Sequence, residues 1–408
     1  MSMGDNDGGR PELKPEPPAL IVATILREEG STGVQTHVQQ LRRYLGEPGT
    51  TLVTPFSGRR ILIVPVFGLR LVIALFSRSA SVVWYRHWHE VFLRAALRRS
   101  LPELGHCVVY AQCPLAARAA LRARVGPHQR VVMAVHFRTS QADEWVNMQQ
   151  IRRDGRVFQA IRHLERAVIP QVDGIVYVSQ WARDALAAWL PEAADVPYAV
   201  IGNFVAPLQH APDHEPLGDL VSIGHLEVVK NQRFLLEVLA AAQRAGRTFT
   251  LDIFGTGPLR KDLVRMTDAL GLKDQVRFRG YRPDVRDFLP RYRAYVHASY
   301  SESSSLAIME AMSAGLPVVA GNIGPISELC ADGVEARFWP LDDPAKAAAT
   351  LMGLLDNEPA RLMAASAAAE RFRRDYDAER IAPRLRSFLF GLHPLASGEA
   401  SLGVPSLQ

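Results

Sequence analysis

Short apolar runs alternate with segments of helical period along nearly the whole chain, and this alternation limits the fold more than any other feature. "ALIVATI" (19–25), "VVYAQ" (108–112), "VVMAV" (131–135) and "GIVYVS" (174–179) each have the length of one strand. After the first of them, Val34, Val38, Leu41 and Leu45 recur at helical spacing, with Gly33 at the helix start. The pattern restarts further on. "LVSIG", "FTLDIFG", "VRFRG", "AYVHAS" and "PVVAG" read as strands, and Phe234, Leu235, Val238, Leu239 and Ala242 form one face of a helix. Runs that are apolar throughout suit strands buried on both faces, as in a parallel sheet covered by helices. The spacing therefore predicts two successive doubly wound, Rossmann-like α/β domains, 19–201 and 219–375, facing a central cleft. "GNFVAPLQHAPDHEPLG" (202–218), rich in Pro and His and without periodicity, reads as the linker between them. In such sheets ligands sit outside the carboxyl ends of the strands, so chemistry is sought there.

Charge is unevenly spread. Residues 18–200 carry 22 basic and 13 acidic side chains, whereas residues 201–408 come out at −2. A basic first half points to an anionic partner such as a membrane or a phosphorylated substrate. An Arg-rich composition with no partner is the alternative. A nucleic-acid groove would need basic residues interleaved with exposed aromatics, and that pattern is absent, so no nucleic-acid partner is expected. Three cysteines (Cys107, Cys113, Cys330) with no C-x-x-C pair suit neither a disulfide framework nor a zinc site, and fit a reducing cytoplasm. Residues 1–18 and 392–408 are polar and rich in Pro, Gly or Ser, and read as a disordered leader and tail. One segment, "RRILIVPVFGLRLVIALFSR" (59–78), invites a membrane reading. Pro65, Gly68 and Arg70 interrupt it, which argues against a spanning helix. It reads either as a buried strand and helix or as a surface lying on a membrane. In the second case Arg59, Arg60, Arg70 and Arg78 meet anionic head groups.

Chemistry concentrates in "ASYSESSSLAIMEAMSAGLPVVAG" (298–321), which holds Glu302 and Glu310 among small and apolar residues. Ser303, Ser304 and Ser305 follow a strand and precede a helical run, so one of them is expected to cap that helix. Its free N–H groups and positive dipole end then make a place for phosphate. Glu310 points away from the face formed by Ala307, Ile308, Ala311 and Met312, and has no basic neighbour three or four positions away. An ordinary solvated Glu is the alternative. Lys230, one of only five lysines, opens a helix just beyond the strand "LVSIG" and is a candidate phosphate contact, with an ordinary surface Lys as the alternative. His136 stands at the carboxyl end of "VVMAV", with Arg138 close behind, and a structural His is the alternative to a catalytic one there. Gly255 and Gly257 mark a tight turn. No apolar-flanked D-x-D, HExxH, Walker loop or G-x-S-x-G occurs, and His87 and His89 lack a third metal ligand.

Together, Gly33-V-Q-T-His37, His136, "IGHLEVVKN", "FGTGPL" and Glu302-x7-Glu310 followed by "AMSAGLPVVA" resemble glycosyltransferase family 4, retaining transferases of the GT-B architecture. The resemblance runs from about residue 19 to 391, and its most specific part is the two-glutamate segment. "RFRRDYDAERIAPRLRSFLF" resembles the family's last helix, which crosses back to the first domain, so residues 376–391 are expected to pack there. The resemblance implies that Lys230 and residue 225 bind the donor diphosphate. The family's usual Arg is here His225. It implies that Glu310 holds the ribose hydroxyls and that Glu302 lies at the sugar, with the amides near Ser304, Ser305 and Leu306 around it and the phosphates. Gly33 would let the backbone approach the phosphate, and His136 would lie near the anomeric centre. Ser303 and Ser304 replace the family's Gly and aromatic residue, which bears on the donor sugar.

The implied reaction is transfer from a nucleotide sugar, a UDP-sugar, with retention of configuration and without metal or other cofactor. The expected acceptor is a lipid-linked or envelope saccharide, met by an enzyme lying on the inner membrane face with Arg138 and the 59–78 arginines on the acceptor or membrane side. Two alternatives stay open: a small soluble acceptor such as an aminocyclitol, and a catalytically silent module that binds nucleotide sugar.

Overall fold

The computed structural model describes residues 18–28, 30, 33–45, 50–57, 60–208 and 215–391. Most of the leader, the tail, Arg59 and residues 209–214 of the linker lie outside the described residues.

Apolar strands buried on both faces give two six-stranded sheets, parallel in every pairing. The first contains β1 (Ala19–Ala23), β2 (Thr50–Val53), β3 (Cys107–Ala111), β4 (Gln129–Val135), β5 (Gly174–Tyr177) and β6 (Tyr198–Val200), in the order β2-β1-β3-β4-β5-β6. The second contains β7 (Leu220–Ile223), β8 (Leu251–Phe254), β9 (Val276–Gly280), β10 (Ala294–His297), β11 (Val318–Gly321) and β12 (Ala336–Trp339), in the order β12-β11-β10-β7-β8-β9. The two doubly wound domains are as expected. The sequence reading did not name β2, β6 and β12. All three are edge strands, and β2 and β6 are half exposed, so the continuous apolar run that marks an inner strand is missing from them.

Alternate residues of each strand face opposite layers. Ile21, Val109, Val131, Met133 and Ile175 pack under Leu115, Ala119 and Leu186 on one face of the first sheet. On the other face Leu20, Val22, Val108, Tyr110 and Val132 meet Leu41 and Leu45, and also Ile381, Leu385 and Leu389. Those last three belong to the helix Ala378–Gly391, which therefore crosses back to the first domain. The linker does more than connect, since Phe204 and Val205 are buried. The Val205 N–H donates to the Tyr376 carbonyl and the Val205 carbonyl accepts from Ala378 N–H, both at 3.0 Å. The two chain crossings between domains thus run side by side.

The 59–78 segment corrects one expectation. It forms no buried strand; Arg60–Phe76 is a single helix with Pro65 inside it. One face packs on the helix Arg78–Ser100, where Trp84 Nε1 donates to the Val66 carbonyl at 2.8 Å and Phe67 meets His89 and Phe92. The opposite face is open: Leu71 is 72% exposed, Leu75 84% and Phe76 86%. A run that is apolar all round can cover only one side of itself when its neighbours lie on that side. Arg70 turns back, its guanidinium 4.4 Å from the Tyr85 ring and its Nε donating to Ser81 Oγ. Among the described residues no helix is long and apolar enough to cross a membrane. His89 serves packing: it is buried, with Nδ1 at 2.7 Å from the Tyr85 carbonyl, and burial pushes its pKa down to about 4.

Candidate active site

In an open parallel sheet the loops diverge where the strand order reverses, leaving a crevice at the carboxyl ends. The second sheet reverses between β7 and β10, and the first between β1 and β3. Lys230, Glu302 and Glu310 lie at the β7/β10 reversal, Gly33 follows β1 and His136 bonds Gln112 just past β3, whereas Arg60 and Arg70 belong to the Arg60–Phe76 helix.

After β7 the chain passes Gly224, His225 and Leu226 into a short 3-10 turn, Val228–Lys230. Asn231 follows with φ 51°, a left-handed conformation that Asn tolerates better than most residues, and so starts the helix Gln232–Arg244. This sharp turn holds Lys230 at the crevice, while His225 is exposed. The loop after β8 presses on the same turn. Gly255 has φ 140°, and a Cβ there would lie 1.9 Å from the Gly224 carbonyl oxygen; a Cβ on Gly257 would lie 2.3 Å from that of Leu226. The two glycines are therefore needed for loop-on-loop packing.

β10 ends at His297, and the chain turns through Glu302 to the helix Leu306–Ser313. Lys230 Nζ donates to Glu302 Oε1 at 2.7 Å, and His297 Nε2 approaches the same oxygen at 3.0 Å. Burial alone would raise the Glu302 pKa; the Lys230 charge and the His297 hydrogen bond outweigh it and hold the carboxyl well below the usual carboxylate range. Ser305 occupies the cap position of the helix, as expected of one of the serines, but its side chain makes no capping hydrogen bond. The Ser304 hydroxyl is buried with no partner among the described residues. Among the described residues no side chain takes up the N–H groups at this helix start. Its first residue, Leu306, is buried.

Glu310 makes no hydrogen bond through its carboxyl among the described residues. Burial raises its pKa to about 7, opposed by the charge of Arg286. Arg286 in turn donates to the Ala206 carbonyl in the linker. This arginine lies 24 positions before Glu310 in sequence, which is why no helical-neighbour rule found it.

The first domain contributes His136, just past the end of β4. Its Nε2 lies 2.9 Å from Gln112 Oε1. Gln112 Nε2 donates to the Tyr110 carbonyl, which orients the amide, so His136 carries its proton on Nε2 and leaves Nδ1 as an acceptor. Burial lowers the His136 pKa to about 4. His37 stands edge-on to it, ring centroids 4.9 Å apart, and burial followed by the His136 charge pushes its pKa well below normal. Gly33 begins the helix Gly33–Leu45, and a Cβ there would meet open space. Arg60 begins the helix Arg60–Phe76.

Cross-domain contacts close the site. Arg138 stacks 4.7 Å over the Trp181 ring and donates to Ser301 Oγ, next to Glu302. Ser179 Oγ donates to the Ser303 carbonyl. The Glu328 carboxylate accepts from the backbone N–H groups of Gln180 at 2.9 Å and Trp181 at 2.5 Å, capping a first-domain helix from the second domain. The sequence reading assigned no role to His297, Arg286, Trp181 or Glu328. His297 had a usable signal, since it ends a strand five residues before Glu302.

Two facing doubly wound domains with a charged crevice at their switch points define the GT-B class. Solved structures of that class superpose over nearly the whole chain. Sucrose-phosphate synthase from Thermosynechococcus elongatus does so with TM-score 0.71 and 16% identity, over 92% of this chain and 99% of that one. Anabaena Alr3699/HepE in complex with UDP and glucose gives TM-score 0.68 and 16% identity, over 91% and 99%. In sequence, the model for Glycosyltransferase Family 4 matches residues 31–207 and that for Glycosyl transferases group 1 matches residues 218–357. The chain belongs to this glycosyltransferase family. Among curated relatives, D-inositol 3-phosphate glycosyltransferase of Mycolicibacterium smegmatis is 35% identical over 150 residues, 36% of this chain and 34% of that protein. Lipopolysaccharide core biosynthesis glycosyltransferase LpsD of Rhizobium meliloti is 28% identical over 179 residues, 43% and 52% respectively. The match thus spans about a third to a half of these relatives' length.

Proposed function

We propose that the protein transfers a sugar from a UDP-sugar, with retention of configuration, to a lipid-linked or envelope saccharide at an anionic membrane surface. The observation that carries the reading is the convergence at the β7/β10 crevice of Lys230 on Glu302, the helix start at Leu306, and the carboxyl of Glu310, which makes no hydrogen bond among the described residues. A diphosphate fits beside Lys230 and His225 and against the helix N–H groups. Glu310, a double acceptor, suits two vicinal ribose hydroxyls. Glu302 positions the sugar, and His136 Nδ1 is placed to accept from a sugar or acceptor hydroxyl. In the step itself the bond from the anomeric carbon to the departing phosphate oxygen breaks. The bond to the acceptor oxygen forms on the same face, and the leaving phosphate oxygen takes the acceptor proton. Lys230 and the helix amides stabilise the charge that develops on the diphosphate, so the reading calls for no metal. The structural neighbour Anabaena Alr3699/HepE is solved in complex with UDP and glucose, which supports the choice of base.

The membrane part rests on the Arg60–Phe76 helix, whose Leu71, Val72, Leu75 and Phe76 are exposed, with the exposed Arg78 just beyond its end. An open apolar face with a neighbouring arginine suits an interfacial helix on anionic lipid, whereas Arg70 is engaged with Tyr85 and Ser81. A soluble phosphorylated acceptor is the second reading, favoured by the relative named D-inositol 3-phosphate glycosyltransferase.

The test screens UDP- and GDP-sugars by thermal shift and then follows release of labelled sugar. The expected result is UDP-sugar turnover lost in Glu310→Ala and Lys230→Ala; turnover unchanged in both variants refutes the site. Sedimentation with anionic vesicles at low salt, weakened by Leu75→Ser/Phe76→Ser, tests the membrane. Failure to sediment leaves the soluble acceptor.

A further inference from the structure

Two side chains donate to Glu302, and both converge on one oxygen. Lys230 Nζ and His297 Nε2 reach Oε1 at 2.7 and 3.0 Å, and Oε2 has no hydrogen bond among the described residues. The two donors differ in what holds them. Lys230 reaches Glu302 on a flexible stem from a surface turn, and a quarter of its side chain is exposed. His297 is 4% exposed, at the end of an inner strand. Its Nδ1 lies 3.3 Å from the hydroxyl of fully buried Tyr295, and that hydroxyl is in turn 3.3 Å from the Ile223 carbonyl at the end of β7. Because Glu302 is ionised it can only accept, so His297 carries a proton on Nε2 whichever way the Tyr295 hydroxyl points.

We propose that His297 is the positioning residue that keeps Glu302 in place while Lys230 serves the donor. The inference rests on the functional reading above, in which a diphosphate bearing two or more negative charges competes with one carboxylate for the Lys230 ammonium. When Lys230 turns to the phosphates, the His297 Nε2–H remains on Oε1. It fixes the carboxylate plane and leaves Oε2 for a sugar hydroxyl. Tyr295 fixes the imidazole, and β10 fixes Tyr295. Lys230 thus exchanges partners during binding, whereas the His297 bond persists through the transfer step.

Two polar substitutions separate the ring nitrogens. The amide nitrogen of Gln falls near the position of Nε2, and that of Asn near Nδ1. His297→Asn therefore keeps a polar group facing Tyr295 but loses the bond to Glu302, whereas His297→Gln restores that bond. With the best UDP-sugar from the screen, kcat in His297→Asn is expected to fall ~10- to 100-fold, the penalty for a reacting group misplaced by about 1 Å. Donor KM should stay within ~3-fold, and His297→Gln should return kcat to within ~5-fold of the wild type by the same reasoning. UDP should raise the melting temperature of both variants as it does the wild type. Equal kcat in the two variants, whether near wild type or equally low, overturns the inference, as does loss of the UDP-induced shift in His297→Asn alone. If the wild type itself turns over no nucleotide sugar, the functional reading fails first and takes this inference with it.

Discussion

Replacing Glu310 by Gln is expected to stabilise the protein at alkaline pH while removing its grip on the nucleotide. Burial raises the carboxyl from its ordinary 4.5 to about 7. The unfolded chain therefore releases this proton before the folded one does. Between those two values the folded state binds more protons, so stability falls as pH rises. Fully expressed, the difference corresponds to about 3 kcal/mol at pH 8 and to less than about 1 kcal/mol at pH 5. Partial exposure of the side chain lets solvent screen part of it, and about 2 kcal/mol is the reasonable expectation for the change between the two pH values. Glu310→Gln, isosteric and uncharged, lacks this penalty. If the second domain melts as a unit, the variant should melt ~4–8 °C above the wild type at pH 8 and close to it at pH 5. Scanning fluorimetry or calorimetry at both pH values, with and without UDP, measures this. UDP should raise the wild-type melting temperature but not the variant's. Ribose hydroxyls favour the ionised carboxylate, so UDP binding near pH 7 should also release protons, visible as a dependence of calorimetric heat on buffer ionisation. A variant no more stable than wild type at pH 8 than at pH 5 refutes the account of Glu310 as a destabilising group kept for binding.

Three other outcomes follow from the same geometry. Lys230→Ala leaves Glu302 buried beside His297 alone and is expected to cost about 3 kcal/mol in urea unfolding at pH 7. Because the Glu302 pKa is depressed, its stabilising contribution exists only where it is ionised, so the gap to wild type should narrow as pH falls below the ordinary carboxyl range. A constant gap contradicts the pairing. Glu328→Ala removes the cross-domain cap on the backbone of Gln180 and Trp181, worth about 1 kcal/mol. Small-angle scattering should show a larger radius of gyration than for the wild type, and identical curves count against a closing role. Gly255→Ala sets a Cβ 1.9 Å from the Gly224 oxygen at φ 140°. The melting temperature should drop by an amount matching at least ~2 kcal/mol, whereas an unchanged value means the two loops do not pack as described.

The sequence alone determined the inner strands, the helices after β1 and β7, the two-domain division and the positions of Lys230, Glu302 and Glu310. Each of these depends on local pattern: an apolar run for a strand buried on both faces, helical spacing for its cover, and polar residues just past a strand end. Edge strands β2 and β6 escaped because half-exposed strands carry no such run, and β12 because Arg337 breaks its short apolar run. The Arg60–Phe76 segment was ambiguous for a related reason. Its hydrophobicity reports that it avoids water, but how much of it is covered depends on the neighbours the fold supplies, and among the described residues it packs chiefly on the helix Arg78–Ser100, with Phe56 against Phe67. Tertiary structure decided the pairings. His297 and Lys230 meet at Glu302 because the strand order reverses between β7 and β10, bringing residues 72 positions apart to one oxygen. Arg286 acts on Glu310 because the turn Val285–Arg291 packs on the helix Leu306–Ser313 within the second domain, and Glu328 caps the helix at Gln180 because the two domains fold against each other. Hydrogen bonds and charges act over a few ångströms of space, and nothing in the order of residues records which distant segments will come that close.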